Sequence, residues 1–118
     1  AVDLRALARS QDIALLVMGD GSACRSIKAP GYLDERASAF DQAVASALAS
    51  GDSAALGSLD LELGAELLAA GVPAWRAASS VLDGIRYDAE LTYDQAPYGV
   101  GYFVAAWTAA AAVGQSRA

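Results

Sequence analysis

The 118-residue chain is 55% hydrophobic with a net charge of −6, which suits one domain, or part of one, with a substantial core. Its eight Lys and Arg residues are scattered, which argues against a nucleic-acid surface, since such surfaces cluster basic side chains. The sequence has no histidine and one cysteine, Cys24, so it excludes an imidazole base, an internal disulfide, and a zinc or non-haem iron site built from this chain alone.

We expect a cytoplasmic protein that does not enter a membrane. The longest apolar stretch, Val100 to Val113, is shorter than the roughly 20 residues that a spanning helix needs. No charged region followed by an apolar run opens the chain, so we predict no signal peptide.

The beginning of the chain predicts a helix followed by a buried strand. Residues 2–11 place apolar side chains at helical spacing. The run at 13–19 is continuously apolar and stops at Gly19-Asp20-Gly21, which favours a strand buried on both faces, as in a parallel sheet. An irregular segment from Asp20 to Leu33 follows.

Capping residues predict the helices in the middle of the chain. Asp34 suits an N-cap and Gly51 a C-terminal stop, which predicts a helix over 34–50. Asp52 and Asp60 indicate the starts of two short helices, the second ending at Gly71. Pro73 favours the first turn of a further helix over 73–82.

The end of the chain predicts a β-hairpin. Residues 87–94 alternate between apolar and polar, which is typical of a strand with one solvent-facing side. After a turn at Ala96-Pro97, residues 100–107 are apolar on both faces and predict a buried strand. Residues 109–118 form a weakly specified tail.

These elements predict an α/β fold with a small mixed sheet and flanking helices, as part of a larger α/β fold. Residues 1–118 form either a single domain or the C-terminal half of one. The strands at 13–19 and 100–107 need neighbours, because each is apolar on both faces. We therefore expect a partner, either the N-terminal half of the same fold or a homo-oligomer mate.

The loop after the first predicted strand carries the most chemistry. Sites in α/β sheets gather beyond the carboxyl ends of strands, and this loop offers a carboxylate, a hydroxyl, a thiol and two cationic groups. The candidate pocket residues are Asp20, Ser22, Cys24, Arg25 and Lys28. The alternative is a polar loop that hydrogen-bonds to its own backbone. Because a nucleophilic cysteine commonly needs a histidine base, we assign no catalytic residue.

The order of several short motifs resembles the C-terminal half of LigB-like proteins, the class III extradiol ring-cleavage dioxygenase family, and especially its small bacterial branch. The match covers residues 12–107. Its motifs are Gly19–Arg25, Ala29–Tyr32, Asp34–Ala37, Phe40-Asp41, Gly71 and Ala96–Ala105.

The resemblance implies an α/β fold in which two histidines and one glutamate hold non-haem Fe(II) for opening catechol-type rings with O₂. It places both histidine ligands in an N-terminal half and a catalytic histidine in the loop after the buried strand. Here Ala23 and Cys24 occupy that stretch. The family's acidic ligand lies just before the glycine matched to Gly71, where this chain has Leu68-Ala69-Ala70 and its nearest acid is Glu66.

Three functions remain open on this basis, and the third is a plain interaction domain whose likeness to the family is limited to its fold. The first is a LigB-like domain with a degenerate catalytic site that acts as a binding or structural module. The second is the C-terminal part of an active Fe(II) ring-opening dioxygenase whose metal ligands all lie in an N-terminal half. We predict no cofactor in this chain, and Fe(II) only if that N-terminal half supplies histidines.

Overall fold

The computed structural model describes residues 3–110, in which helices pack against a small β-sheet, so the predicted α/β fold class is confirmed. In chain order the elements are α1 (Leu4–Ala8), α2 (Ala37–Ser50), α3 (Ser53–Gly57), α4 (Leu61–Glu66), α5 (Val72–Leu82), β1 (Tyr87–Gln95) and β2 (Tyr102–Ala109). The predicted helix start at Val2 and most of the predicted tail lie outside the described residues. Within those residues, no helix combines the length and apolarity needed to cross a bilayer.

The predicted capping residues fix several helix ends. The Asp52 carboxylate accepts the N–H of Ala55, and the Asp60 carboxylate accepts the N–H of Leu63, both at 3.0 Å. Gly51 ends α2 with a φ of 69°, a left-handed conformation that glycine adopts without the steric cost of a side chain. These three residues confirm the predicted ends.

Three helix boundaries differ from the prediction, and the first is the end of α1, which lies at Ala8 and not at residue 11. The Asp34 carboxylate accepts the N–H of Arg36, two residues on, and this local turn competes with helix, so α2 begins at Ala37. Helix α4 ends at Glu66, well before the predicted stop, and Leu68 then adopts a φ of 55°.

The core lies between α2, α3 and α5, and the hairpin covers one side of it. Its most deeply buried large side chains are Val44, Leu56, Leu67, Val72 and Trp75. The sheet contributes Phe103 and Trp107, which are partly buried against this cluster. The Trp107 indole N–H donates to the carbonyl of Leu48 at 2.7 Å, which fixes the hairpin to α2.

The predicted hairpin is present and antiparallel, with one bulge in β1. The register shifts between Leu91 and Tyr93, and the Thr92 hydroxyl donates to the carbonyl of Val104 at 3.1 Å. One extra residue reverses the alternation of side chains. Tyr93, which the two-residue period places on the same face as Tyr87, is therefore exposed.

The predicted strand at 13–19 is wrong. These residues form a stretch without turns or bends that pairs with no strand. We call residues 13–19 the apolar segment. Val17 packs against the core, but Leu16 is 83% exposed and Met18 is 74% exposed. A run that is apolar on both faces becomes a buried strand only where neighbours pair with it, and residues 3–110 provide none.

The prediction that residues 100–107 are buried on both faces is also wrong. In β2, Phe103, Ala105 and Trp107 are half-buried, whereas Val104 and Ala106 are exposed. The helices pack on one face of the hairpin only, which leaves the second apolar face uncovered by the described residues.

Candidate functional site

Residues 20–25, which we call the anchored segment, are fixed to the start of β2 by backbone hydrogen bonds. The Gly21 N–H donates to the carbonyl of Gly101 at 2.7 Å, and the Gly101 N–H donates back to the carbonyl of Ser22 at 2.9 Å. Both peptide groups of Gly101 are thus used in holding the anchored segment, which follows the apolar segment directly.

The Asp41 side chain of α2 binds the anchored segment through its carboxylate. It is 1% exposed and accepts the Ser22 N–H at 2.8 Å and the Ser22 hydroxyl at 2.7 Å. The Arg25 guanidinium donates to the same carboxylate at 3.1 Å. A buried carboxylate with three such partners is satisfied, so these groups stabilise the fold and are not free for chemistry.

Two glycines allow this close approach. A Cβ at Gly101 would lie 2.5 Å from Asp41 Oδ2, and one at Gly21 would lie 2.8 Å from Asp41 Oδ1. Any side chain at either position would displace the carboxylate. The Gly-Asp-Gly stop seen in the sequence is therefore a packing requirement as well as a turn signal.

The five candidate pocket residues lie in different environments. Ser22 and Cys24 are buried, Arg25 is half-buried, and Asp20 and Lys28 are exposed. None of the five contributes to the walls of the main cleft described below. Their role in ligand binding stays a prediction.

Cys24 is a buried thiol held by backbone carbonyls. Its Sγ lies 3.4 Å from the carbonyl oxygen of Leu67 and 3.7 Å from that of Gly31. Burial raises the pKa of the thiol above its ordinary value, and the negative charges of Asp34 and Asp41 raise it further. Since the thiolate is the reactive form, this environment suppresses nucleophilic chemistry.

The two stretches that the resemblance associates with catalysis are in contact. The Ala23 N–H donates to the carbonyl of Leu67, and the Gly71 N–H donates to the carbonyl of Asp20, both at 2.9 Å. Glu66, the nearest acid, points elsewhere and pairs with the exposed Arg36 at 3.2 Å. The Cys24 thiol also lies at this contact, against the carbonyl of Leu67. Nowhere in residues 3–110 do three His, Cys, Asp or Glu side chains cluster at metal-binding distance.

An apolar cleft of about 790 Å³ separates the apolar segment from β2. Its walls come mainly from α1, the apolar segment, α5 and β2, and Leu48 of α2, Leu56 of α3 and Tyr87 of β1 also line it. Large apolar residues along these walls include Leu15, Leu16, Leu56, Trp75, Phe103 and Trp107. Apolar walls of this extent favour an apolar occupant and provide no acid–base pair.

The cleft ends on a free strand edge. Successive residues of a strand direct their backbone N–H and C=O groups to opposite edges. Gly101 bonds to the anchored segment, and Ala110 donates to the carbonyl of Arg86 beside β1 at 2.8 Å, so the odd-numbered residues of β2 point away from β1. Within the described chain, no backbone hydrogen bond links those residues to the apolar segment. The arrangement can therefore accept one further strand.

The comparisons with known proteins find no relative: no family model, curated protein or solved structure matches the chain. The site is therefore interpreted from its own residues.

Sequence reasoning missed the two features that define the site, Asp41 and the cleft. Asp41 sits beside Phe40 on the buried stripe of α2, and an acid among buried helix positions is a signal for an internal hydrogen-bond network. The signal for the cleft was present as two runs with apolar residues on both faces. The two runs predict two buried strands, whereas in the structure they form two walls with a gap between them.

Proposed function

We propose that this chain is a LigB-like α/β domain with a degenerate catalytic site, which acts as a binding or structural module and completes its sheet with a second α/β segment. The observation that carries the proposal is the free edge of β2, which faces an apolar cleft bounded on its far side by the exposed apolar segment. Folded proteins rarely leave such an edge and such apolar surface uncovered, because both promote association.

The state of the candidate loop supports the non-catalytic part of the proposal. Ser22 and Arg25 are engaged by Asp41, and Cys24 is buried with a raised pKa. A binding module needs no free nucleophile, whereas a hydrolytic or redox centre would need at least one such group exposed to substrate.

A dioxygenase centre is not proposed for this chain by itself, since its sequence has no histidine for the two-histidine, one-carboxylate set that non-haem iron prefers. Any iron would need histidines from outside this sequence. We place the domain in the cytoplasm on the grounds given by its sequence.

Hydrogen exchange on the purified chain, followed residue by residue at high dilution, tests the proposal. The amides of Phe103, Ala105 and Trp107 face the cleft, and those of Val104 and Ala106 face β1. We expect the first set to exchange fast and the second set slowly, because only the second is hydrogen-bonded within the hairpin.

The even-numbered amides of β2 are the internal control, since they lie on the same strand and alternate with the cleft-facing amides. Equal protection of both sets in the dilute chain would mean that the chain covers the edge with its own residues. The domain would then need no second segment, and the proposal would fail.

A further inference from the structure

The molecule carries both halves of a strand-pairing contact on one surface. One half is the free edge of β2, formed by Phe103, Ala105, Trp107 and Ala109. The other is the apolar segment, a straight stretch of seven residues whose strand-type sequence has no partner. The two halves match in length, at roughly 20 Å each for a seven-residue strand.

We infer that the second segment is another copy of this chain, and that two copies exchange their apolar segments. Each apolar segment enters the cleft of the other copy and pairs with the free edge of its β2. This inference rests on the proposed function, because it names the occupant of the same cleft. The contact is isologous, so one surface satisfies itself about a two-fold axis.

Strand directions permit this exchange. Gly21 bonds to Gly101 and Arg25 bonds to Gly99, so the anchored segment is antiparallel to the chain that enters β2. The apolar segment leads directly into the anchored segment and is therefore antiparallel to β2 of its own chain. A two-fold axis perpendicular to the sheet makes the two apolar segments antiparallel to each other, and each therefore lies parallel to the partner's β2. The result is one six-stranded sheet, in which β1 and β2 of each copy flank the two central apolar segments.

The uncovered apolar surface is of the size that such a dimer needs. Ile13, Leu15, Leu16 and Met18 are 40%, 41%, 83% and 74% exposed, which together exceeds two fully exposed aliphatic side chains. The exchange would also cover the half-buried Phe103 and Trp107 in the cleft wall of the partner. Stable dimers bury about 800 Å² per copy, and a seven-residue strand inserted between two walls is on that scale. A small ligand would fill the cleft but leave Met18, which lies outside the cleft walls, and the backbone N–H and C=O groups of the β2 edge uncovered.

Sedimentation velocity on the full chain, from about 1 µM to about 100 µM, tests the exchange. We expect a concentration-dependent species of twice the 12.0 kDa mass of one chain. Leu16→Asp should weaken association at least about 10-fold, because it places a charge in the exchanged strand. Ala105→Pro should do the same from the acceptor side, since it removes an N–H on the free edge, where a sheet tolerates proline.

The matched control is Ile27→Asp, which changes a 62% exposed aliphatic residue outside the cleft and should leave association unchanged. Circular dichroism verifies that each variant folds, and Met18→Asp replaces any donor variant that does not. Equal weakening by Ile27→Asp would show that another surface associates, and would overturn the exchange.

A wild-type chain that stays monomeric throughout the range also overturns the exchange. If the cleft-facing amides of that monomer exchange fast, the proposed function survives with a different occupant. If a peptide of residues 12–20 then protects those amides in the monomer, the edge accepts strands but not as an exchange between copies. If those amides are already protected, both proposals fail.

Discussion

Residues 20–25 and residues 13–19 are consecutive in the chain, yet their burial is the reverse of what their polarity predicts. The anchored segment contains polar residues, yet residues 21–24 are buried and Ser22 is completely buried. The apolar segment is continuously hydrophobic and lies at the surface, where Leu16 and Met18 are largely exposed. The difference is in the partners, because Asp41 and Gly101 satisfy the first segment and nothing in residues 3–110 pairs with the second.

This contrast shows that hydrophobicity sets a need for burial but does not create the neighbour that provides it. Covering Leu16 and Met18 would yield about 1.5–3 kcal/mol for each side chain that is fully buried. The anchored segment has already gained its hydrogen bonds. Both segments lie along the same edge of β2. We call the hydrogen-bonded part, at the anchored segment, the finished side, and the unpaired part, at the apolar segment, the unfinished side.

The largest effect is expected for Asp41→Ala on the finished side. The substitution removes the acceptor of the Ser22 N–H, the Ser22 hydroxyl and the Arg25 guanidinium. Leaving buried donors without partners should lower the free energy of unfolding by about 3–5 kcal/mol, measured by urea denaturation. The control Asp52→Ala removes an exposed helix cap and should cost about 1 kcal/mol. Similar losses for the two variants would show that Asp41 is no more than a local cap.

Gly101→Ala should produce the next largest loss. The new Cβ would lie 2.5 Å from Asp41 Oδ2, and relieving that overlap should cost about 1–3 kcal/mol of unfolding free energy. A double-mutant cycle with Asp41→Ala identifies the cause, since the carboxylate is absent in that background and the cost should fall. An unchanged cost in the double variant would place the strain elsewhere.

Much of the secondary structure followed from the sequence because its signals are local. Asp52 and Asp60 cap helices through their own following residues, and Gly51 supplies its own left-handed turn, so no distant part of the chain is needed. The hairpin was predictable for the same reason, since its two strands are adjacent. The bulge at Thr92 was not, because it depends on how β1 meets β2.

The candidate site was less predictable because it depends on distant contacts. Asp41 meets Ser22 across 19 residues of chain, and the start of β2 meets the anchored segment across about 80. The apolar run at 13–19 has the composition of a buried strand, but strand formation requires a paired edge. The sequence pointed to the loop that contains the anchored segment and missed the Asp41 carboxylate that binds it.

A smaller effect is expected from the exposed ion pair between Asp34 and Arg36. Hydrogen bonds from the guanidinium lower the pKa of the Asp34 carboxyl from its ordinary 3.8 to about 2. Because the folded-state pKa is depressed, this stabilisation is complete above pH about 4 and is lost as pH falls towards about 2.

Thermal unfolding of wild type and Asp34→Asn between pH about 2 and about 6 checks this direction. The two melting temperatures should differ above pH about 4 and converge near pH about 2. Glu66→Gln, which removes the other acid that pairs with Arg36, is the control. Its melting temperature should fall between pH about 4 and about 2 as that of the wild type does. Because the pair is exposed, the whole effect should be modest.

The smallest stability effect is expected for Leu16→Asp, on the unfinished side. Leu16 is 83% exposed in the single chain, so replacing it with a charged residue removes almost no burial. In dilute solution, where the chain is monomeric, the free energy of unfolding should change by less than about 0.5 kcal/mol. Leu67→Ala, at a fully buried leucine, should cost about 2–5 kcal/mol in the same measurement. A loss for Leu16→Asp comparable to that for Leu67→Ala would mean that the apolar segment is covered within one chain. The distinction between the two segments would then disappear, since both would belong to one completed core.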